Sequence, residues 1–213
     1  MLPRNFNLLT LACLLGAGTV LPRAFAQELP ATNRPSPAAL SAALRSEEII
    51  GSEAVKRAYV HSGTNEFAFV VPPGFRFDGS NPEKLVLVKN DYTCFINFRV
   101  VKPGPSEAGE LKAEALRQTL LNRYPGARVL EEFTQSAANQ SGPAFDLQFR
   151  SAADVLQSAR VVFIPSAAGV LEFTLVANAD QFTDGREAFN TLLLTFCTNQ
   201  GGKLEITPFS DKS

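Results

Sequence analysis

Any chemistry this chain performs must come from a short roster of reactive side chains. Its 213 residues include one histidine, His61, and three cysteines, Cys13, Cys94 and Cys197. A Ser-His-Asp triad would have only His61 to draw on, and no Gly-x-Ser-x-Gly elbow accompanies it. One histidine and separated cysteines match no common zinc spacing. A lone histidine at the end of "AYVHS" reads as a surface or capping residue. Carboxylates are the remaining option. The densest acidic pairs are Glu47-Glu48 and Glu131-Glu132. Neighbours on a strand point to opposite faces, so Glu131 and Glu132 cannot act jointly as acid and base without a bulge. They read as solvated or ion-paired. Asp78-Gly79-Ser80-Asn81 opens like a calcium loop but lacks the later acidic ligands of an EF-hand. Asn139-Gln140-Ser141 is a glycosylation sequon, meaningful only in a host that glycosylates secreted proteins. No catalytic or metal constellation emerges, and no cofactor is expected.

The cysteines depend on compartment. "MLPRNFNLLTLACLLGAGTVLPRAFAQ" has an early arginine, an apolar run from Leu8 to Val20, and Ala24-Phe25-Ala26 before Gln27. That is the pattern of a secretory signal peptide over residues 1–26. The run falls short of the ~20 apolar residues that span a bilayer. The expected product is exported, periplasmic or extracellular, and does not span the membrane after cleavage. Cleavage removes Cys13, leaving Cys94 and Cys197 where disulfides persist. The full chain carries 20 basic and 21 acidic residues, and the leader takes Arg4 and Arg23 with it. A mildly acidic product argues against nucleic acid or anionic membrane as a partner.

The elements that must position these residues follow from patterning. Residues 27–54 read as a leader, with Ser36-Pro37 opening a short helix that carries Leu40, Ala43 and Leu44 on one face. A single domain is expected over 55–207, with a tail at 208–213. In "EFAFVVPPGFRF", alternating residues mark a strand that Pro72-Pro73-Gly74 stops, most simply as a corner. "KLVLVK" is a further strand. In "DYTCFINFRVV", Tyr92, Cys94, Ile96, Phe98 and Val100 form the core side. Ala113, Leu116, Leu120 and Tyr124 make a helical stripe that ends at Pro125-Gly126.

Four strand-like stretches come next. "ARVLEEFT" is the least regular, with room for a bulge. "AFDLQFR" puts Asp146, Gln148 and Arg150 outward, "ARVVFIP" is apolar on both faces, and "VLEFTLVAN" puts Glu172 and Thr174 outward. Asp184 and Glu187 suggest a capping box for a closing helix with Phe189, Leu192, Leu193, Phe196 and Cys197 on one side. "KLEIT" suggests a short edge strand. Short connections favour antiparallel pairing. The fold class is α+β: a mostly antiparallel sheet flanked by helices.

On this placement Cys94 lies on a strand's apolar face and Cys197 on the closing helix. If the helix packs over the strand, the two sulfurs could bond, closing a loop of about 100 residues worth up to ~4–5 kcal/mol. Two buried free thiols are the alternative. A redox thiol lacks the usual Cys-x-x-Cys.

The order of elements resembles the PsbP-like superfamily, which includes bacterial DcrB-like secreted proteins. The resemblance rests on "FAFVVPPGF", the helix before "YPGARVLEEF", "SGPAFDLQFRS", "RVVFIPSAAGVLEFTLVA" and "FTDGREAFNTLLLTF", spanning about residues 55–197. Family members commonly carry Trp where Phe75 stands here. The resemblance implies an α/β/α sandwich and an accessory, assembly or interaction role, with no family-wide catalytic residue to carry over. The expectation is therefore a secreted, non-enzymatic module that binds a protein partner. A binder of a small apolar ligand between helix and sheet, and a histidine-independent hydrolase, are the alternatives.

Overall fold

A computed structural model describes residues 38–47, 54–102 and 111–199. The signal segment 1–26, the leader up to residue 37, "KLEIT" and the tail lie outside the described residues. Eleven strands and two helices are described. In order they are β1 (Ser41–Glu47), β2 (Val55–Ser62), β3 (Asn65–Val70), β4 (Phe75–Asp78), β5 (Leu85–Lys89), β6 (Cys94–Val101), α1 (Ala113–Arg123), β7 (Arg128–Ala137), β8 (Gln140–Arg150), β9 (Leu156–Ser166), β10 (Gly169–Asn178), α2 (Phe182–Thr195) and β11 (Cys197–Asn199).

The strands form two sheets, and every pairing is antiparallel. The larger runs β4-β5-β6-β10-β9-β8-β7 and the smaller β1-β2-β3-β11. Two cores result, one on each face of the large sheet. The first gathers Phe67 and Phe69 of the small sheet, Ile96, Phe98 and Phe173 of the large one, and Phe189, Leu192 and Leu193 of α2. The second gathers Phe145, Leu147, Val161 and Phe163 with Leu120 of α1. The fold is therefore an α+β sandwich, with α1 on one face of the large sheet and α2 beside the small sheet on the other.

Phe196, just past the end of α2, is the hub of the first core. Its ring lies 4.8 Å from Phe173, 5.3 Å from Phe98, 5.8 Å from Phe67 and 6.0 Å from Phe69, measured between centroids. Aromatic pairs at such offsets add about 0.5–1.5 kcal/mol each beyond the area they bury.

The Pro-Pro-Gly corner carries the chain from one sheet to the other. β3 belongs to the small sheet and β4 to the large one. Phe75 N–H donates to the Pro72 carbonyl at 3.2 Å, and Gly74 adopts φ +79°. Proline followed by a residue at positive φ is the recipe for a type II turn, which only glycine enters without strain. Gly142 has a different role. A Cβ there would sit 1.8 Å from the Phe163 carbonyl oxygen, so β8 meets β9 at a distance no side chain tolerates. Pro143 and Pro165 flank this point, and the recorded β8–β9 ladder stops at Ala144 and Val162. The two prolines, which lack the ladder donor, sit where the regular pairing of these strands ends.

Three expectations are corrected. Ser41–Glu47 is a strand, not a helix. Its alanines, leucine and arginine favour a helix locally, but a short isolated helix bears a nucleation cost. Seven residues instead pair with β2, after Ala38 and Leu40 bury themselves in the first core and donate to the Val100 and Pro82 carbonyls. α2 begins at Phe182 with Gln181 as its cap and no side-chain capping bond, so Asp184 and Glu187 make no capping box. Asp184 instead sits in the first turn, where its charge favours the positive end of the helix. Tyr92 precedes β6 at φ +60° and is exposed, so the core face begins at Cys94. By contrast the irregularity foreseen in "ARVLEEFT" is real: the β7–β8 register shifts between Val129 and Glu131.

Candidate functional site

The residues singled out by type do not converge. His61 is half-exposed on β2, with Nδ1 3.4 Å from Glu66 Oε1 across the small sheet. The Asp78–Asn81 stretch is a turn that satisfies itself: Ser80 N–H donates to Asp78 and Glu83 N–H to Asn81. Among the described residues no three His, Cys, Asp or Glu side chains group as metal ligands.

The cysteines lie apart, and both are free thiols. Cys94 opens β6 and is packed against Gly185, where a Cβ would come 3.1 Å from its sulfur. Cys197 is not on the helix but opens β11, its thiol 3.4 Å from the Ala68 carbonyl. Gly185 lies near the start of α2 and Cys197 just past its end. From Gly185 to the last helical residue, Thr195, α2 rises roughly 15 Å at 1.5 Å per residue, whereas a disulfide needs its Cα atoms within ~7 Å. Burial pushes the Cys94 thiol up to about 11 and raises Cys197 as well, so neither is poised as a thiolate.

The functional groups that sequence reasoning missed are buried acids. Glu172 of β10, with Thr174 beside it, points away from the first core and into the layer under α1, whereas Asp146 of β8 lies on the first-core face, in line with Ala144. α1 covers the second face, and its last residue, Arg123, donates from Nη1 to Glu172 Oε1 at 2.6 Å and from Nη2 to Oε2 at 3.1 Å. Arg99, opposite Glu172 in the β6–β10 register, donates from Nη2 to Oε2 at 2.6 Å. Thr174 Oγ1 adds a contact at 3.3 Å. Burial alone would push the Glu172 carboxyl up. The bonds and charges of Arg123 and Arg99 outweigh it and hold the carboxyl below the usual glutamate range. Such a group stays ionised and has no proton to offer near neutral pH. It is a tie between α1 and the sheet.

Asp146 is matched in the same way. Arg160 faces it across the β8–β9 ladder and forks onto both carboxylate oxygens at 2.7 Å each, while its guanidinium lies 4.6 Å above the Phe133 ring. On the small sheet, Glu47 accepts from Tyr59 Oη and from Arg57 Nε at 2.8 Å. Burial opposes its ionisation, but the Tyr59 and Arg57 bonds prevail and lower its pKa. A sequence signal for Glu172 did exist: a lone acid inside an apolar strand flanked on both sides needs a partner.

Among the described residues lies an open groove of about 480 Å³. Leu111 and Ala113 at the start of α1 form one wall; residues 132–134 of β7 and 141–143 of β8 form the floor. Register explains the floor. Glu132 opposes Phe145 and Thr134 opposes Pro143, so these side chains share the face that α1 covers further along. β7 is the last strand of its sheet, so the groove opens at a sheet edge. Glu131 and Glu132 thus come into play at a border, on opposite faces, not as a catalytic pair.

No protein-family model matches the chain, and no curated protein matches it by sequence. Two solved structures are similar in fold. One is the solution structure of cyanobacterial PsbP (CyanoP) from Synechocystis sp. PCC 6803, 13% identical over 76% of this chain and 94% of that one, with a TM-score of 0.44. The other is LpqN, involved in cell envelope biogenesis of Mycobacterium tuberculosis, 12% identical over 75% of this chain and 91% of that one, with a TM-score of 0.39. The PsbP name thus returns from the comparison of structures. At these scores the functional argument rests on the chain's own residues.

Proposed function

We propose that the chain is a non-catalytic module that acts by binding a protein partner, outside the cytoplasm after removal of residues 1–26. The observation that carries this reading is the internal pairing of two buried acids, Glu172 and Asp146, and of the half-buried Glu47. Glu172, Asp146 and Glu47 are each held by arginine, and Glu172 and Glu47 are kept ionised by those bonds. A general acid or base needs a pKa near the working pH and room for a substrate beside it. Glu172 and Glu47 are held below the usual glutamate range, and Glu172 and Asp146 are enclosed by protein.

The layer between α1 and the sheet is filled by Phe145, Leu147, Val161, Phe163 and Leu120, all essentially sealed from solvent. That packing speaks against an apolar ligand held there. No helix among the described residues is long and apolar enough to cross a membrane. Among the described residues, the surface offers a last strand, β7, with a pairing partner on one side only, beside a groove. The test is affinity capture with the mature chain, residues 27–213, as bait in its own envelope extract, followed by sedimentation. A saturable complex of fixed stoichiometry supports the reading. Turnover of a small-molecule substrate that Glu172→Gln abolishes without unfolding the chain would replace it with an enzyme.

A further inference from the structure

The β7 edge has features that choose its occupant. Sheet edges present unpaired backbone groups and are open to an added strand. Here the bulge between Val129 and Glu131 breaks the pairing line at one end, leaving Glu131 to Ala137 as the regular stretch. These seven residues are within the length of an ordinary strand. Among the described residues that line the adjoining groove, Glu132 is the one that carries charge, and it forms no ion pair with another described residue. Lys112, between the two wall residues of α1, does not reach it within ion-pair distance. The remaining lining is uncharged: Leu111, Ala113, Phe133 and Pro143 are apolar, and Thr134, Ser141 and Gly142 are small.

A second copy of the chain is a poor occupant. Antiparallel pairing of β7 with itself about its acidic end would bring Glu131 and Glu132 against their own copies, and like charges opposed on a sheet are destabilising. A strand with a cation opposite Glu132 meets the reverse situation. Residues directly opposed across a ladder point to the same face, so that cation would lie on the α1 face, where Glu132 borders the groove.

We propose that the β7 edge takes, as an added strand, an extended basic segment of a partner protein, with a lysine or arginine opposite Glu132 and an apolar side chain in the groove between α1 and the β7–β8 hairpin. This rests on the reading of the chain as a binding module and assigns that module its contact. Exposed Leu130 at the bulge extends the apolar border of the contact.

The test uses two ten-residue peptides of alternating threonine and valine, one with a central lysine and one with a central glutamate. Each is titrated against the mature chain by fluorescence anisotropy at low and high salt. The lysine peptide binds at least ten-fold more tightly, and salt narrows the difference. Glu132→Lys reverses the preference at unchanged melting temperature, and Glu114→Lys on the exposed face of α1 leaves it intact. Equal affinities, or a preference that Glu132→Lys does not alter, overturn the assignment. So does a dimer of the chain alone that forms through β7. A natural partner whose cross-links map away from β7 overturns the edge assignment and leaves the module reading standing. Peptide discrimination with no complex in the envelope extract supports the edge assignment and counts against the module reading.

Discussion

Glu172 shows how a single residue sets the behaviour of a whole layer. Its carboxylate accepts from Arg99 on the sheet and from Arg123 at the end of α1, and its side chain is almost wholly buried. Replacing it by glutamine leaves the partly exposed cations of Arg99 and Arg123 without their counter-charge, a loss of about 3 kcal/mol at neutral pH, the lower end of the range for a buried pair. The pH dependence follows from the lowered pKa. The stabilisation is complete above roughly pH 4.3, the ordinary glutamate value, and is lost as pH falls through the lower folded-state value. Urea unfolding across an acid series should therefore show the gap between wild type and Glu172→Gln closing with acid. A second residue-scale prediction concerns Gly142. An added methyl would collide with the Phe163 carbonyl, so Gly142→Ala should cost about 3 kcal/mol or more. Gly74→Ala, with open space around it, should register only the strain of positive φ, about 1 kcal/mol. Thermal unfolding of the two variants checks that order.

At the scale of elements, the structure adds β1 as an integral strand. Leu40→Ala, at a buried position where the chain enters β1, should cost about 2–5 kcal/mol. NMR secondary shifts over residues 41–47 should be extended, and helical shifts there would refute the pairing with β2. How legible each element was in the sequence depended on whether its signal was local. β6 was readable because Cys94, Ile96, Phe98 and Val100 alternate without exception, and the stripe of α1 held because Leu120 and its neighbours face one layer. β1 was not, because its composition favours helix and only its pairing with β2 decides otherwise. β11 was hidden because three residues after a helix carry no periodicity, which in turn misplaced Cys197. Glu172 and Asp146 were placed opposite the apolar residues of their own strands but read as outward, and both are buried. Alternation does not say whether a second layer covers the face it defines, so their burial could not be read from it. The β7 bulge was foreseen from broken alternation around Leu130, whereas the groove beside it depends on where the start of α1 falls.

At the scale of the molecule, the large sheet is covered on both faces, and charge inside it is neutralised by internal arginines rather than held ready for a substrate. The thiols belong to the same picture. Under native conditions a thiol reagent should modify Cys197 faster than Cys94, which is sealed beneath α2, and non-reducing peptide mapping of the oxidised mature chain should find no Cys94–Cys197 link. The central claim is that this compact interior supports a binding surface and not a reaction. Sedimentation velocity of the labelled mature chain in its own envelope extract tests it most directly. The account predicts a discrete, saturable heavier species that Glu132→Lys diminishes. A chain that sediments unchanged at every extract concentration, while consuming a component of that extract, would contradict it.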